Sequence, residues 1–245
     1  MTARRAAPPV PILLSLVAAA ILAFGCSPAA APVVGTTFPP AAPTRAVDPE
    51  KVIAGLQKEL GPDSPVRFKA TADAYVNEGL LTVILDGDFQ GNEMDGFVRY
   101  RVAGLQLTYH VIAADGKAYV RQHTGKWAKS PEKVPAKGSG PFGDMRKAKL
   151  KFTGVSKTDR DLYSVVWSNP THAQRALDGT LFTSPKIKSA SMTFLVDEGG
   201  KPYSATYSLK GTAKVDGKSY SLKIEGYYQF FAIRDKLDFE SPLKK

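Results

Sequence analysis

Thiols are almost absent from this sequence, whose 245 residues contain a single cysteine, Cys26. That excludes an intrachain disulfide, a Cys-x-x-Cys redox pair and a thiolate metal centre. Histidine is nearly as scarce, at His110, His123 and His172, and none stands in a His-Glu-x-x-His or comparable metal-ligand spacing. No glycine-rich phosphate loop opens a helical stretch, and Gly138-Ser139-Gly140 lacks the Gly-x-Ser-x-Gly spacing of a nucleophile turn. The acid pairs Asp86/Asp88 and Asp159/Asp161 fit a hydrolase in type, but each lies in a polar segment that reads as a solvated turn. The expectation is a protein that is not an enzyme and needs no metal or cofactor.

The N-terminus is the most legible region. Arg4 and Arg5 precede an apolar run from Val10 to Phe24, interrupted only by Pro11 and Ser15. That is the order of a secretory signal segment, and the run is shorter than the roughly 20 apolar residues of a spanning helix. Gly25 then stands immediately before Cys26, so Ala23-Phe24-Gly25-Cys26 resembles a lipobox, with Ala23 where Leu is commonest and Phe24 bulkier than usual. An exported protein with one unpaired thiol at its cleavage point is expected to carry lipid there, a palmitate-type acyl group included. The same residues also fit an uncleaved N-terminal anchor. Residues 1–26 are therefore read as a lipoprotein signal peptide with lipidated Cys26, placing the chain outside the cytoplasm and on the cell membrane.

Residues 27–47 are mainly Ala, Pro, Thr and Val, with Arg45 the only charge, and they lack the periodicity of a core element. They read as a semi-extended tether. The chain carries 33 basic and 23 acidic side chains, a net +10; Arg4 and Arg5 leave with the signal segment, so 31 against 23, or +8, remains. Export and the absence of a nucleic-acid motif argue against nucleic acid as a partner. Attraction to anionic headgroups and mere solubility both fit the basic balance.

The folded domain is expected over residues 48–245. Asp48-Pro49-Glu50 has the N-cap acid, first-position proline and first-turn acid of a helix start. Val52, Ile53, Leu56 and Leu60 follow on one face, and Gly61-Pro62 stops the helix. Strand patterns come next. Val66, Phe68, Ala70, Ala72, Ala74 and Val76 alternate with polar residues or Tyr75, and the period of two continues through Leu81–Phe89, Phe97–Val102, Leu105–Ala113 and Ala118–Gln122. Glu78-Gly79, Asp86-Gly87, Asp95-Gly96, Asp115-Gly116 and Thr124-Gly125 read as turns. A second block of strands runs from about Ile187 to Ile233, with turns at Gly199-Gly200 and Asp216-Gly217. Between the blocks lie a Lys/Pro/Gly-rich stretch from Lys126 to Lys149, a strand at Leu162–Trp167 and a short helix at Pro170–Leu177. That stretch fits either a mobile flap or a plain solvated loop.

The predicted class is α+β: a large curved antiparallel sheet, or half-barrel, with helices packed on its concave face. Ala70, Ala72 and Ala74 take three successive positions on one face, while Phe68, Met192, Phe194, Tyr203, Tyr207, Leu222 and Tyr228 bring larger groups to the same candidate face. Small side chains there leave space for an acyl chain or for close approach of the first helix, and the sequence fits both. These ten residues are the candidate lining of a ligand cavity.

The signal segment, Cys26, the Pro/Ala tether, the opening helix and the passage Asp115-Gly116-Lys117-Ala118-Tyr119-Val120 ending at Gly125-Lys126-Trp127 together resemble the LolA-like superfamily, particularly lipoproteins of the LppX/LprG type. The resemblance spans Asp48 to Pro242. It implies a curved half-barrel closed by helices that holds a lipid or other hydrophobic small molecule in an apolar cavity. It also implies lipid binding and transport near a membrane. A non-transporting envelope module on the same fold, contacting a protein partner, is the competing expectation.

Overall fold

The computed structural model describes residues 47–243 apart from 62, 77–78, 91–92, 103, 134–148, 158–159, 178–182, 216 and 234–236. The expected signal segment, Cys26 and the tether as far as residue 46 lie outside the described residues, as do residues 134–148 of the Lys/Pro/Gly-rich stretch.

The chain opens with helix α1 (Pro49–Glu59), capped as its sequence predicts: the Glu50 amide donates to Asp48 Oδ1 at 2.9 Å and Pro49 occupies the first turn. Five strands follow, β1 (Pro65–Val76), β2 (Gly79–Gln90), β3 (Glu93–Val102), β4 (Leu105–Ala114) and β5 (Lys117–Gln122), then β6 (Ala128–Lys133). The chain resumes with β7 (Lys149–Lys157), β8 (Arg160–Ser168), helix α2 (Pro170–Leu177), β9 (Thr183–Val196), β10 (Pro202–Val215) and β11 (Lys218–Ala232). All are joined in one antiparallel sheet of eleven strands, in the order β6-β5-β4-β3-β2-β1-β11-β10-β9-β8-β7. The first and last strands of the domain thus pair at its centre, and the two edges, β6 and β7, are neighbours in sequence.

Neighbouring strands rotate by about 20–25°, so ten pairings accumulate roughly 200–250° and a flat sheet is excluded. Among the described residues the edges do not pair, so the sheet is open and not a closed barrel. Antiparallel pairing keeps residues of one parity on one face, and the register aligns the apolar sets from strand to strand. One row reads Tyr109, Val98, Leu85, Ala70, Tyr228, Ala205, Phe194 and Val165 across β4 to β8. A second reads Leu107, Tyr100, Val83, Ala72, Gly226, Tyr207, Met192 and Trp167. No charge interrupts either, and apart from Leu107 and Gly226 every residue in them is buried.

Two expected turns are not turns. Asp86-Gly87 lies inside β2 and Asp95-Gly96 inside β3, where Gly87 and Gly96 face each other in the ladder. A Cβ on Gly87 would come within 2.8 Å of Gly96 Cα, and one on Gly96 within 2.9 Å of Gly87 Cα. Glycine serves close strand approach here, not chain reversal. Thr124-Gly125 and Gly199-Gly200 fall between strands, and Asp115-Gly116 joins β4 to β5 with φ of 54° and 69°, the left-handed pair of a tight hairpin. The Lys126–Lys149 stretch is also not wholly a loop, since Ala128–Lys133 forms β6.

Helix α1 meets the backbone of the β9–β10 turn at one end of the sheet, and its Val52 and Leu56 enter the common core fully buried. Helix α2 packs on β9, with the Ala173 side chain buried and Gln174 Oε1 accepting from the Ile187 amide. The turn of Gly199-Gly200 is pressed so close to α1 that a Cβ on Gly55 would strike the Gly199 carbonyl oxygen, and one on Gly200, which has φ +86°, the Val52 carbonyl oxygen. Gly55→Ala should gain about 1 kcal/mol of helix propensity. Overpacking of about 1–3 kcal/mol outweighs it, so the urea midpoint is expected to fall with the m-value unchanged. A midpoint at or above wild type would show that α1 does not sit on this turn.

Candidate ligand face and an outer charged groove

Nine of the ten candidate lining residues come together. Phe68, Ala70, Ala72 and Ala74 of β1, Met192 and Phe194 of β9, Tyr207 of β10, and Leu222 and Tyr228 of β11 all belong to one buried apolar cluster. Tyr203 does not: it falls at the register shift between Pro202 and Ser204 and is only half-buried. A bulge breaks the parity on which its placement rested.

The alanines are small for a reason visible in the geometry. Tyr207 reaches from β10 across Gly226 of β11, and its hydroxyl donates to the Thr71 carbonyl oxygen of β1 at 3.1 Å. A Cβ on Gly226 would collide with that ring and hydroxyl. The Tyr207 side chain therefore occupies room beside Ala72. Around it the rings of Tyr207 and Tyr228 lie 5.6 Å apart, Tyr228 and Phe68 5.7 Å, and Phe68 stacks on Phe89 at 4.3 Å. Large aromatics thus border a centre of small residues.

The opposite face carries the charge. Arg67 makes a two-pronged pair with Asp88, both contacts at 2.6 Å, and Lys69 lies 3.6 Å from Asp86. Asp88 and Asp86 together hold the Arg67 guanidinium above its ordinary pKa, first by the Asp88 hydrogen bond. The acid pair Asp86/Asp88 is thereby engaged in cross-strand pairing rather than solvated in a turn. Asp159/Asp161 lies outside the described side chains.

His110, on β4, is bracketed by Asp95 and Arg121. Its Nε2 lies 2.5 Å from Asp95 Oδ1 and its Nδ1 3.2 Å from Arg121 Nη2. Guanidinium only donates, so Nδ1 accepts and the ring proton sits on Nε2, donating to Asp95. Both nitrogens are committed, leaving neither as a general base or a metal ligand. The ring also stacks on Phe97 at 4.5 Å and approaches Trp127 at 4.9 Å, over which Arg121 lies at 4.7 Å. Sequence reasoning treated His110 as an ordinary sheet residue and passed over this assembly, because its partners come from three other strands or turns. An outer groove of about 560 Å³ joins these residues, lined by Arg67, Lys69, Asp86, Asp88, Asp95, Phe97, His110 and Phe231. Among the described residues no group of three or more His, Cys, Asp or Glu is placed to hold a metal ion.

No family model and no curated protein matches the chain. Among solved structures, a LolA superfamily protein from Nitrosomonas europaea is similar at 11% identity, over 77% of this chain and 96% of that one, with a TM-score of 0.28. A β-barrel-like protein of a domain of unknown function from Brucella abortus is similar at 11% identity, over 68% and 98%, with a TM-score of 0.17. At these values the likeness bears on no residue or ligand of this chain.

Burial raises the Tyr207 and Tyr228 hydroxyl pKa values well above the ordinary 10, with Tyr228 and Asp73 adding to the shift at Tyr207. In the unfolded chain both ionise near pH 10 while the folded protein keeps their protons, so the native state binds more protons there. Stability is fully present below pH 10 and falls as pH rises beyond it. Tyrosinate absorbance should show these two groups titrating only as the sheet unfolds; titration of all tyrosines before unfolding would contradict the packing. Tyr207→Phe, which removes the bond to Thr71, is expected to lower stability by about 1 kcal/mol.

Proposed function

We propose that this chain is an extracytoplasmic lipoprotein, held to the cell membrane through Cys26, which binds and carries a lipid or other hydrophobic small molecule against the inner face of its sheet. In this reading it works by binding, in the manner of the LppX/LprG-type lipoproteins its sequence resembles. The observation that supports it is the inner face itself, with two rows of uncharged side chains running unbroken across eight strands. Edges β6 and β7 do not pair among the described residues, so the apolar surface ends in a seam. Each methylene buried along such a surface contributes about 0.8 kcal/mol, so an acyl chain of modest length is held without a single polar contact.

A second reading, a non-transporting envelope module that contacts a protein partner, has one observation in its favour. Tyr207 already occupies room beside Ala72, and a filled interior needs no ligand.

Expression of the full chain in a bacterial host, flotation of the membranes and solvent extraction of the purified protein separate the two. Extractable lipid in fixed proportion to protein is expected for a carrier; its absence, with no uptake of a fluorescent fatty acid, would sink that reading and leave the second. The anchor is read separately, by mass spectrometry of the N-terminal peptide. Acylated Cys26 is expected, and Cys26→Ala should abolish both the added mass and partition into detergent. An unmodified Met1 or a free amine at Cys26 would refute lipidation.

A further inference from the structure

The register distributes the exposed charges unevenly between the two ends of the sheet. The end that carries the β4–β5 and β9–β10 turns and α1 is mixed, with Glu50, Asp88, Glu93, Asp95, Asp115, Asp197 and Glu198 beside Lys51, Lys58, Arg67, Lys117 and Lys201. The far end, which carries the β1–β2, β3–β4 and β10–β11 turns, is basic: Arg99, Arg101, Lys210, Lys214, Lys218 and Lys223 stand there, and the described acids among them are Asp73 and Glu225. Glu225 is taken by Lys223 at 2.5 Å, and Asp73 accepts from the Thr82 hydroxyl at 2.6 Å. Glu78 and Asp216 belong in sequence to two of these turns and lie outside the described residues.

The same basic end displays two exposed leucines. Leu105, beside the β3–β4 turn, is 62% exposed, and Leu80, beside the β1–β2 turn, is 45% exposed. Apolar groups ringed by cations are the chemistry of a surface that settles onto anionic headgroups, the leucines entering the interface and the cations meeting phosphates.

We infer that this basic end is a docking surface for an anionic bilayer. The inference rests on the membrane-tethered reading above. The described chain begins at the mixed end, where Val47 packs on the core, so the tether leaves from the side opposite the basic one. The 21 residues 27–47 reach roughly 60 Å at about 3 Å per residue. The 14 residues of β10 span about 45 Å at 3.3 Å each. The tether is long enough for the domain to invert and set its far end on the membrane that anchors it.

The test uses the full chain reconstituted into vesicles, with Leu105→Trp as reporter and Leu80→Trp as a second reporter at an independent site. Flotation with phosphatidylcholine vesicles reads the anchor alone. Quenching of the introduced tryptophan by brominated acyl chains, above that of the parent chain with Trp127 and Trp167, reads docking. The expected result is quenching in phosphatidylglycerol vesicles and none in phosphatidylcholine. It should be lost toward 1 M salt, where the Debye length is about 3 Å, and lost in the combined variant Arg101→Glu, Lys214→Glu, Lys218→Glu. Equal quenching in both lipids, quenching that survives charge reversal, or no quenching of either reporter in a chain that floats would overturn the inference, the last pointing to an acidic protein partner instead. Co-purified lipid is measured separately, so its absence leaves the docking result intact.

Discussion

Everything in this fold depends on the register of the antiparallel ladder. A strand shifted by one residue turns its apolar set to the solvent and its charged set into the core. Here that would bring Lys69 and Asp73 inward in exchange for Ala70 and Ala72. Each buried large apolar side chain contributes about 1.5–3 kcal/mol, and β9 alone places Met192, Phe194 and Val196 inside fully buried, so a slip of one strand costs an amount comparable with the whole stability of a typical domain. The irregularities confirm the constraint by their position. The shifts between β9 and β10 fall at Pro202/Ser204, Lys210/Gly211 and Thr212/Lys214, leaving the stretch from Ala205 to Leu209 unbroken.

Close approach is the second determinant, and it follows from the first. A sheet that twists through its strands and buries one face on itself must let backbone meet backbone. Glycine stands at such meetings: Gly55 against the Gly199-Gly200 turn, Gly87 against Gly96, Gly211 against Lys186, and Gly226 beneath the Tyr207 ring. The Tyr207 hydroxyl, carried inward on a large apolar ring, then needs a partner, and the Thr71 carbonyl supplies it across β11. An unpaired buried hydroxyl would cost more than such a bond gains, so ring, glycine and alanine at 207, 226 and 72 are constrained as a set.

What the sequence made legible was local. The Asp48 cap with Pro49, the Asp115-Gly116 hairpin and the alternation of β1 are decided by residues within a few positions of one another. The structure places the candidate lining residues on one face for the same reason, except Tyr203, whose parity a bulge cancels. Non-local features were illegible. Asp86-Gly87 and Asp95-Gly96 carry turn chemistry, and only their pairing across two strands shows that the glycines relieve crowding inside the sheet. The strand Lys149–Lys157 went unread because its polar LysLeuLys start follows a Lys/Pro/Gly-rich stretch and its pairing is with β8. Likewise Asp95, His110 and Arg121 lie on three strands, and no spacing in the sequence brings them together.

Pairing of the first and last strands has a further consequence for how the domain meets its surroundings. With β1 joined to β11 at the centre, the ends of the sheet order become β6 and β7, two strands joined by one connection. Among the described residues no backbone ladder joins these two, whereas parting any neighbouring pair of the sheet would break backbone hydrogen bonds along a strand. Edge strands are also where unwanted pairing with another chain begins, and β6 carries the exposed Lys129, a residue that blunts such pairing.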